Sequence, residues 1–229
     1  MSAPALTILK DWSRFTIQPY PVFLKASSNQ FSDATDGRGT LKYPLRRFSG
    51  GARLMGSALP VWTAPGDNLA PYAALKVIQP GDILVVASAS YTGCALLGDH
   101  IMGLLNNAKA AGMITDGLVR DLGGLRNINL PVYAAGTSPL VPTKHGPGTV
   151  GLPITLGSVV IHPGDLIIAD DDGIVIVPPA EFAQVSDRLI ALRERDAALE
   201  QRVRAGATEP PDFEQLLERV GVRWLTTPE

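Results

Sequence analysis

The sequence predicts a mixed α/β domain followed by a C-terminal helical extension. Three observations carry this: short apolar runs rich in β-branched residues, apolar stripes at helical spacing between them, and a switch after Pro179 to a long charged segment with a narrow apolar stripe. The chain has 229 residues, 45% of them apolar and 18% charged, a globular composition with enough length for one sizeable core. The expected organisation is an N-terminal arm over 1–26, one domain over 27–178 and the extension over 179–229.

Residues 1–26 mix prolines, aromatics and a short apolar stretch, and read as an arm or a first short helix. SSNQFSDATDGRG (27–39) predicts a helix capped by Ser or Asn and stopped by Gly37 and Gly39, because glycine enters the left-handed conformation of a helix end without a Cβ penalty. ARLMGSALPVWTA (52–64) is rich in strand formers. APGDNLAPYAALKVI (64–78) opens with a Pro-Gly turn and an Asp/Asn cap and continues at helical spacing. DILVVAS (82–88) reads as a buried strand.

The stripe Leu97, Ile101, Leu104, Ala108, Ala111 then predicts an amphipathic helix with Asp99 at its start and Gly112 at its end. Strands follow at 113–115, at VYAAG (132–136) and through 158–178, where Pro-Gly-Asp and Asp-Asp-Gly turns suit hairpins. VIQPGDILVVA (77–87) echoes VIHPGDLIIAD (160–170); a duplicated unit and a shared common turn both account for that. Beyond Pro179, Phe182, Val185, Leu189, Leu192, Leu199 and Val203 mark a long surface helix that packs on the parent domain or on a neighbouring subunit. Pro210 and Pro211 precede a last helix, DFEQLLERV.

Several function classes lose their support. The net charge of −2 and the absence of a Lys/Arg block give no electrostatic footprint for nucleic acid or an anionic membrane. Cys94 is the single cysteine, so neither an internal disulfide nor a thiolate cluster can form. Together with an N-terminus that lacks a basic segment before a long apolar one, it sets the expectation of a soluble, cytoplasmic protein. There is no GxGxxG after a strand, no Walker loop, no GxSxG and no HExxH. His100, His145 and His162 are scattered and read as surface or packing residues, and Cys94 as a small helix-face residue with no activating His nearby in sequence.

Oxygen ligands remain. Between Asp99 and the adjacent Arg120 and Asp121 lies about one helix plus one strand, so a crossover can return the strand's end beside the helix start. The free N–H groups at Gly98, Asp99, His100 and Ile101 would cradle a carboxylate, and Arg120 could grip the same anion. Asp121 and Asp99 would supply hard oxygen charge for Mg²⁺ or Mn²⁺. The alternative is structural: Asp99 as a helix cap, Arg120 and Asp121 as surface ion pairs, or Asp121 as a cap for LGGLRNI. Generic physical chemistry favours it.

GDHIMGLLNNAKAAGMITDGLVRD resembles the D-x20-R-D signature of the family of 4-hydroxy-4-methyl-2-oxoglutarate aldolases and regulators of ribonuclease E activity (RraA-like). The resemblance runs over roughly 27–178 through SDATDGRG, APGDN, QPGDILVV, DGLVRD and HPGDLIIADDDGIVIVP, and the C-terminal extension closing on GVRWL is similar to the aldolase branch. It implies a β/β/α swivelling-domain-like sandwich and a class II, divalent-metal-dependent pyruvate aldolase with oxaloacetate decarboxylase activity. The assembly implied is a homotrimer or homohexamer with sites between subunits. By position Asp121 matches the metal ligand, Arg120 the residue that holds the substrate and polarises its oxygens, and Asp99 a carboxylate near the metal's waters. Asp33 stands where the family tends to have Glu, and His100 where similar aldolases have an apolar residue. A further acid is expected from a neighbour's C-terminal helix, with Glu200 preferred and Glu194 as the other candidate. The regulator branch, a protein-binding alternative, tends to lack the Asp after the Arg and the long C-terminal helices; both are present here.

Overall fold

The computed structural model describes residues 4–225. The strands are β1 (Leu6–Ile8), β2 (Arg46–Ser49), β3 (Leu54–Thr63), β4 (Asp82–Ala87), β5 (Ala95–Leu97), β6 (Gly112–Thr115), β7 (Leu118–Val119), β8 (Val132–Ala134), β9 (Gly136–Thr137), β10 (Gly148–Val150), β11 (Ile154–Leu156), β12 (Val159–Ile161), β13 (Leu166–Ala169) and β14 (Ile174–Val177). The helices are α1 (Ser28–Ala34), α2 (Leu69–Ala74), α3 (Asp99–Asn107), α4 (Leu122–Leu125), α5 (Phe182–Arg204) and α6 (Phe213–Val220).

A mixed nine-stranded sheet runs β1-β10-β3-β4-β6-β8-β2, with β13 and β14 branching from β3. Its centre, β3-β4-β6-β8, is parallel, and every residue of β4 and β6 is buried, as covering on both faces requires. Leu84 and Val86 of β4 face a core shared with α2 and α3, while Ile83 and Val85 face one shared with the β11-β12 hairpin. A third core joins Leu166, Ile168, Val175 and Val177 to Phe23, Phe31, Phe182, Val185 and Leu189, so α1 and the first half of α5 lie on the branch strands. Each of those α5 side chains contributes about 1.5–3 kcal/mol by burial. Leu199 and Val203, farther along the stripe, are exposed.

Several expectations are corrected. The helix read over 97–112 occupies Asp99–Asn107; Lys109 takes a left-handed φ of 59°, and Gly112 opens β6 instead of ending the helix. Its buried stripe is Ile101, Met102 and Leu105, and Leu104 is 46% exposed. Asp-Asp-Gly does join a hairpin, β13 to β14, whereas Pro-Gly-Asp at 163–165 carries the chain from the β11-β12 pair to β13 of the main sheet. Both Pro-Gly-Asp turns share one geometry: Gly81 and Gly164 have φ of 87°, and Asp82 and Asp165 accept the N–H of the residue three before them at 2.9 and 2.8 Å. Pro fixes the second position of such a turn and Gly the third, so turn chemistry accounts for the echo. Cys94 is buried just before β5, not on a helix face; burial raises its pKa, which keeps the thiol protonated and unreactive. No helix among the described residues is long and apolar enough to cross a membrane.

Candidate active site

A second, three-stranded sheet, β5-β7-β9, is parallel throughout and made of strands two or three residues long. Its register aligns Leu97 with Val119, and the Arg120 N–H donates to the Leu97 carbonyl at 3.0 Å. The next residues of the two strands are therefore neighbours: Gly98 and Asp99 at the start of α3, Arg120 and Asp121 ahead of α4. This is the juxtaposition that the spacing of the three charges suggested.

Close packing holds the group together. A Cβ on Gly98 would overlap Asp121 Oδ2 and lie 3.1 Å from Arg120 Cγ, and one on Gly124 would overlap the Asp99 carboxylate. Two glycines thus let two carboxylates and a guanidinium crowd onto one edge. Arg120 Nε lies 3.2 Å from Asp121 Oδ2, and the terminal nitrogens of Arg120 have no protein partner among the described residues. Asp121 is at the N-cap position of α4 with φ 60°, yet its side chain makes no capping bond, so it does not serve the structural role open to it. Asp99 and Asp121 are 30% and 41% exposed, and the His100 imidazole is 92% exposed with Nδ1 3.7 Å from Asp99 Oδ1. The first N–H groups of α3, at Asp99, His100 and Ile101, have no acceptor within the helix.

The donors fit a hard divalent cation in kind: two carboxylates and no thiolate or imidazole cage. No group of three or more His, Cys, Asp or Glu side chains converges among the described residues. Mg²⁺ and Mn²⁺ retain several waters, so two carboxylates are compatible with such a site.

The other expected acids lie elsewhere in the chain. Asp33, on α1, lines a cleft with Asp36, Arg188, Leu192 and Arg195 of the α1/α5 face. Glu194 lies beside Pro21, Lys25 and Arg193, and Glu200 is exposed and paired with Arg204. None of the three joins Asp99, Arg120 and Asp121 within one chain, among the described residues.

Two contributors escaped sequence reasoning. Asp116, within TDGLVRD, is 2% exposed; its carboxylate accepts the N–H and hydroxyl of Ser88 and the N–H of Ser90 at 2.7–2.9 Å. It pins a loop in which Ala89 and Ser90 both have positive φ. Gly124, facing Asp99, sits in a Gly-Gly pair whose only signal is that glycine is a poor choice inside a helix. At the expected Asp/Asn cap, Asn68 holds the N-cap position without a side-chain capping bond, and Asp67 Oδ1 accepts the N–H of Leu69, the first residue of α2, at 2.8 Å.

Comparison with known proteins gives the family. The family described as RraA-like, Aldolase/RraA, matches residues 28–176. The chain belongs to that family. It is 32% identical over 172 residues, 75% of this chain and 82% of the other, to a Halalkalibacterium halodurans protein named "Putative 4-hydroxy-4-methyl-2-oxoglutarate aldolase". Among solved structures, the Streptomyces coelicolor RraAS2, titled an unusual member of the RNase ES inhibitor RraA protein family, is similar with a TM-score of 0.71 and 28% identity over 82% of this chain and 98% of that one. The RNA-processing inhibitor RraA from Thermus thermophilis gives 0.62 and 27%, over 67% and 93%. The family and its α/β sandwich are thereby shown.

Proposed function

We propose that the chain is a divalent-metal-dependent lyase that releases pyruvate from 2-oxo acids of the 4-hydroxy-4-methyl-2-oxoglutarate or 4-carboxy-4-hydroxy-2-oxoadipate type. Oxaloacetate decarboxylation, which passes through the same pyruvate enolate, accompanies it. What supports this most is the β5-β7 pairing, which gathers a helix N-terminus, an arginine with free terminal nitrogens and two carboxylates.

Asp121 would hold Mg²⁺ or Mn²⁺, with Asp99 beside it. Bound there, the cation supplies Lewis-acid polarisation of the 2-oxo group. The chain does the rest. The N–H groups at Asp99, His100 and Ile101 receive the substrate carboxylate, with Gly98 leaving room beside it, and Arg120 orients the 2-oxo acid through its free fork. Deprotonation of the 4-hydroxyl lets the C3–C4 bond break, and its electron pair becomes the pyruvate enolate, whose charge Arg120 stabilises. Asp99, Asp33 and Glu200 are the acids available to take that proton and return one to C3.

Asp33 and Glu200 act from a second copy on this reading, within a homotrimer or homohexamer. Support comes from their placement on α1 and α5, apart from the cluster, and from the exposed Leu199 and Val203 that continue α5's apolar stripe. The competing reading is a binding regulator, favoured by the similarity to structures titled as RNase inhibitors. Pyruvate release from the two aldol substrates and oxaloacetate, with Mg²⁺ or Mn²⁺ and then with EDTA, separates them: an enzyme loses its turnover on chelation, whereas a regulator shows none to lose.

A further inference from the structure

We propose that Asn68 is a positioning residue for the anion cradle at the start of α3, a role that rests on the aldolase reading for its catalytic meaning but on geometry for its existence. Strand β5 has two edges. One pairs with β7 and so faces Arg120. On the other, the Leu96 carbonyl is held by Asn68 Nδ2 at 2.8 Å, a side-chain bond standing where a neighbouring strand would be. Leu96 is two residues before Gly98, so this bond fixes the approach of the chain to the cradle.

Asn68 makes no other side-chain hydrogen bond among the described residues. It occupies the N-cap of α2 yet makes no capping bond, and the Leu69 N–H is taken by Asp67 instead. It is 5% exposed, and its Oδ1 is buried without a protein partner among the described residues. A buried, half-satisfied amide is an unfavourable way to fill space, and its single donated bond is the reason to keep it. The rest of the turn is fixed independently: the Asn68 N–H donates to the Thr143 carbonyl at 3.0 Å, and Asp67 Oδ2 accepts the Thr143 hydroxyl at 2.9 Å. Removing the Asn68 amide therefore loosens β5 selectively, and removing the Thr143 hydroxyl loosens the turn without touching Leu96.

The test compares Asn68→Leu with Thr143→Val in the full chain, by hydrogen–deuterium exchange and by steady-state kinetics on oxaloacetate with Mn²⁺. In Asn68→Leu, exchange at the hydrogen-bonded amides of Met102 and Arg120 should quicken about tenfold or more while β4 amides keep their protection. KM should rise about tenfold with kcat changed far less, because the cradle holds the substrate's carboxylate. Thr143→Val should lower Tm but leave both readouts as in the wild type. Unchanged exchange at Met102 and Arg120 in Asn68→Leu, or quickening spread evenly over β4 as well, overturns the proposal. If the wild type turns over no 2-oxo acid, the aldolase reading fails on its own, and the exchange pattern still decides whether Asn68 positions the cradle.

Discussion

Gly98→Ala separates activity from stability. Gly98 has φ −134° and ψ −169°, extended backbone that any residue adopts, so alanine introduces no backbone strain. The added methyl nonetheless overlaps Asp121 Oδ2 and crowds Arg120, with Nε only 3.3 Å away. Relief requires the Asp121 carboxylate to swing away, and at 41% exposure it can move into water at little expense. Stability should stay within about 1 kcal/mol of wild type, since a Gly→Ala change at a compatible position is itself favourable by about 0.4–1 kcal/mol. Activity should not survive: a displacement of about 1 Å in a positioning group is enough for a loss of about 100-fold. Urea denaturation and continuous pyruvate release measure the two. A Gly98→Ala protein with wild-type turnover would refute the crowded edge as the reacting centre. Gly124→Ala should also cost activity through Asp99, but with a loss of stability, because its methyl would lie 2.7 Å from Asp99 Cβ, which cannot rotate away.

Asp121→Asn should nearly abolish pyruvate release, and Arg120→Lys should reduce it about 100-fold, because lysine is a point donor that cannot form the guanidinium's planar fork; rates under saturating Mn²⁺ test both. Asp116→Ala removes the acceptor for the Ser88 and Ser90 N–H groups and should destabilise by about 2–4 kcal/mol, read from urea midpoints. For Asp67, burial alone would raise the pKa, but the His145 and Leu69 N–H groups and the Thr143 hydroxyl outweigh it and hold the carboxyl below its usual value. A depressed folded pKa contributes stability that is present above the unfolded value, about 4, and is lost as pH falls through the folded one. Stability measured against pH should therefore fall less steeply on the acid side in Asp67→Asn than in the wild type. Leu199→Glu with Val203→Glu should lower the assembly mass by light scattering and leave the fold intact, since both side chains are exposed and lie outside the buried cores.

The long elements were legible because their patterns extend over several turns or alternations: β3, β4, α1 and α5 follow directly from the residues that form them. The boundaries of α3 were not, since Leu104 and Ala108 continue a helical stripe that tertiary packing turns outward in favour of Met102 and Leu105. The sheet that builds the site was invisible for a different reason. Strands such as Leu118–Val119 and Gly136–Thr137 are too short for any period, and only their parallel partners make them strands. The pairing of Asp99 with Arg120-Asp121 could be suggested from spacing, while residue chemistry alone favoured surface ion pairs; Arg120 and Asp121 do pair at 3.2 Å, and the glycines packed against Asp121 and Asp99 add that the three side chains share one edge. Asp33 and Glu200 could be named from resemblance, while their distribution over the α1/α5 side required the fold.

Pyruvate release from 4-hydroxy-4-methyl-2-oxoglutarate by the purified full chain is the most direct measurement of the central claim. With Mg²⁺ or Mn²⁺ the account predicts sustained turnover that EDTA abolishes and added metal restores. No turnover of this substrate, of 4-carboxy-4-hydroxy-2-oxoadipate or of oxaloacetate, or turnover untouched by EDTA, would contradict it.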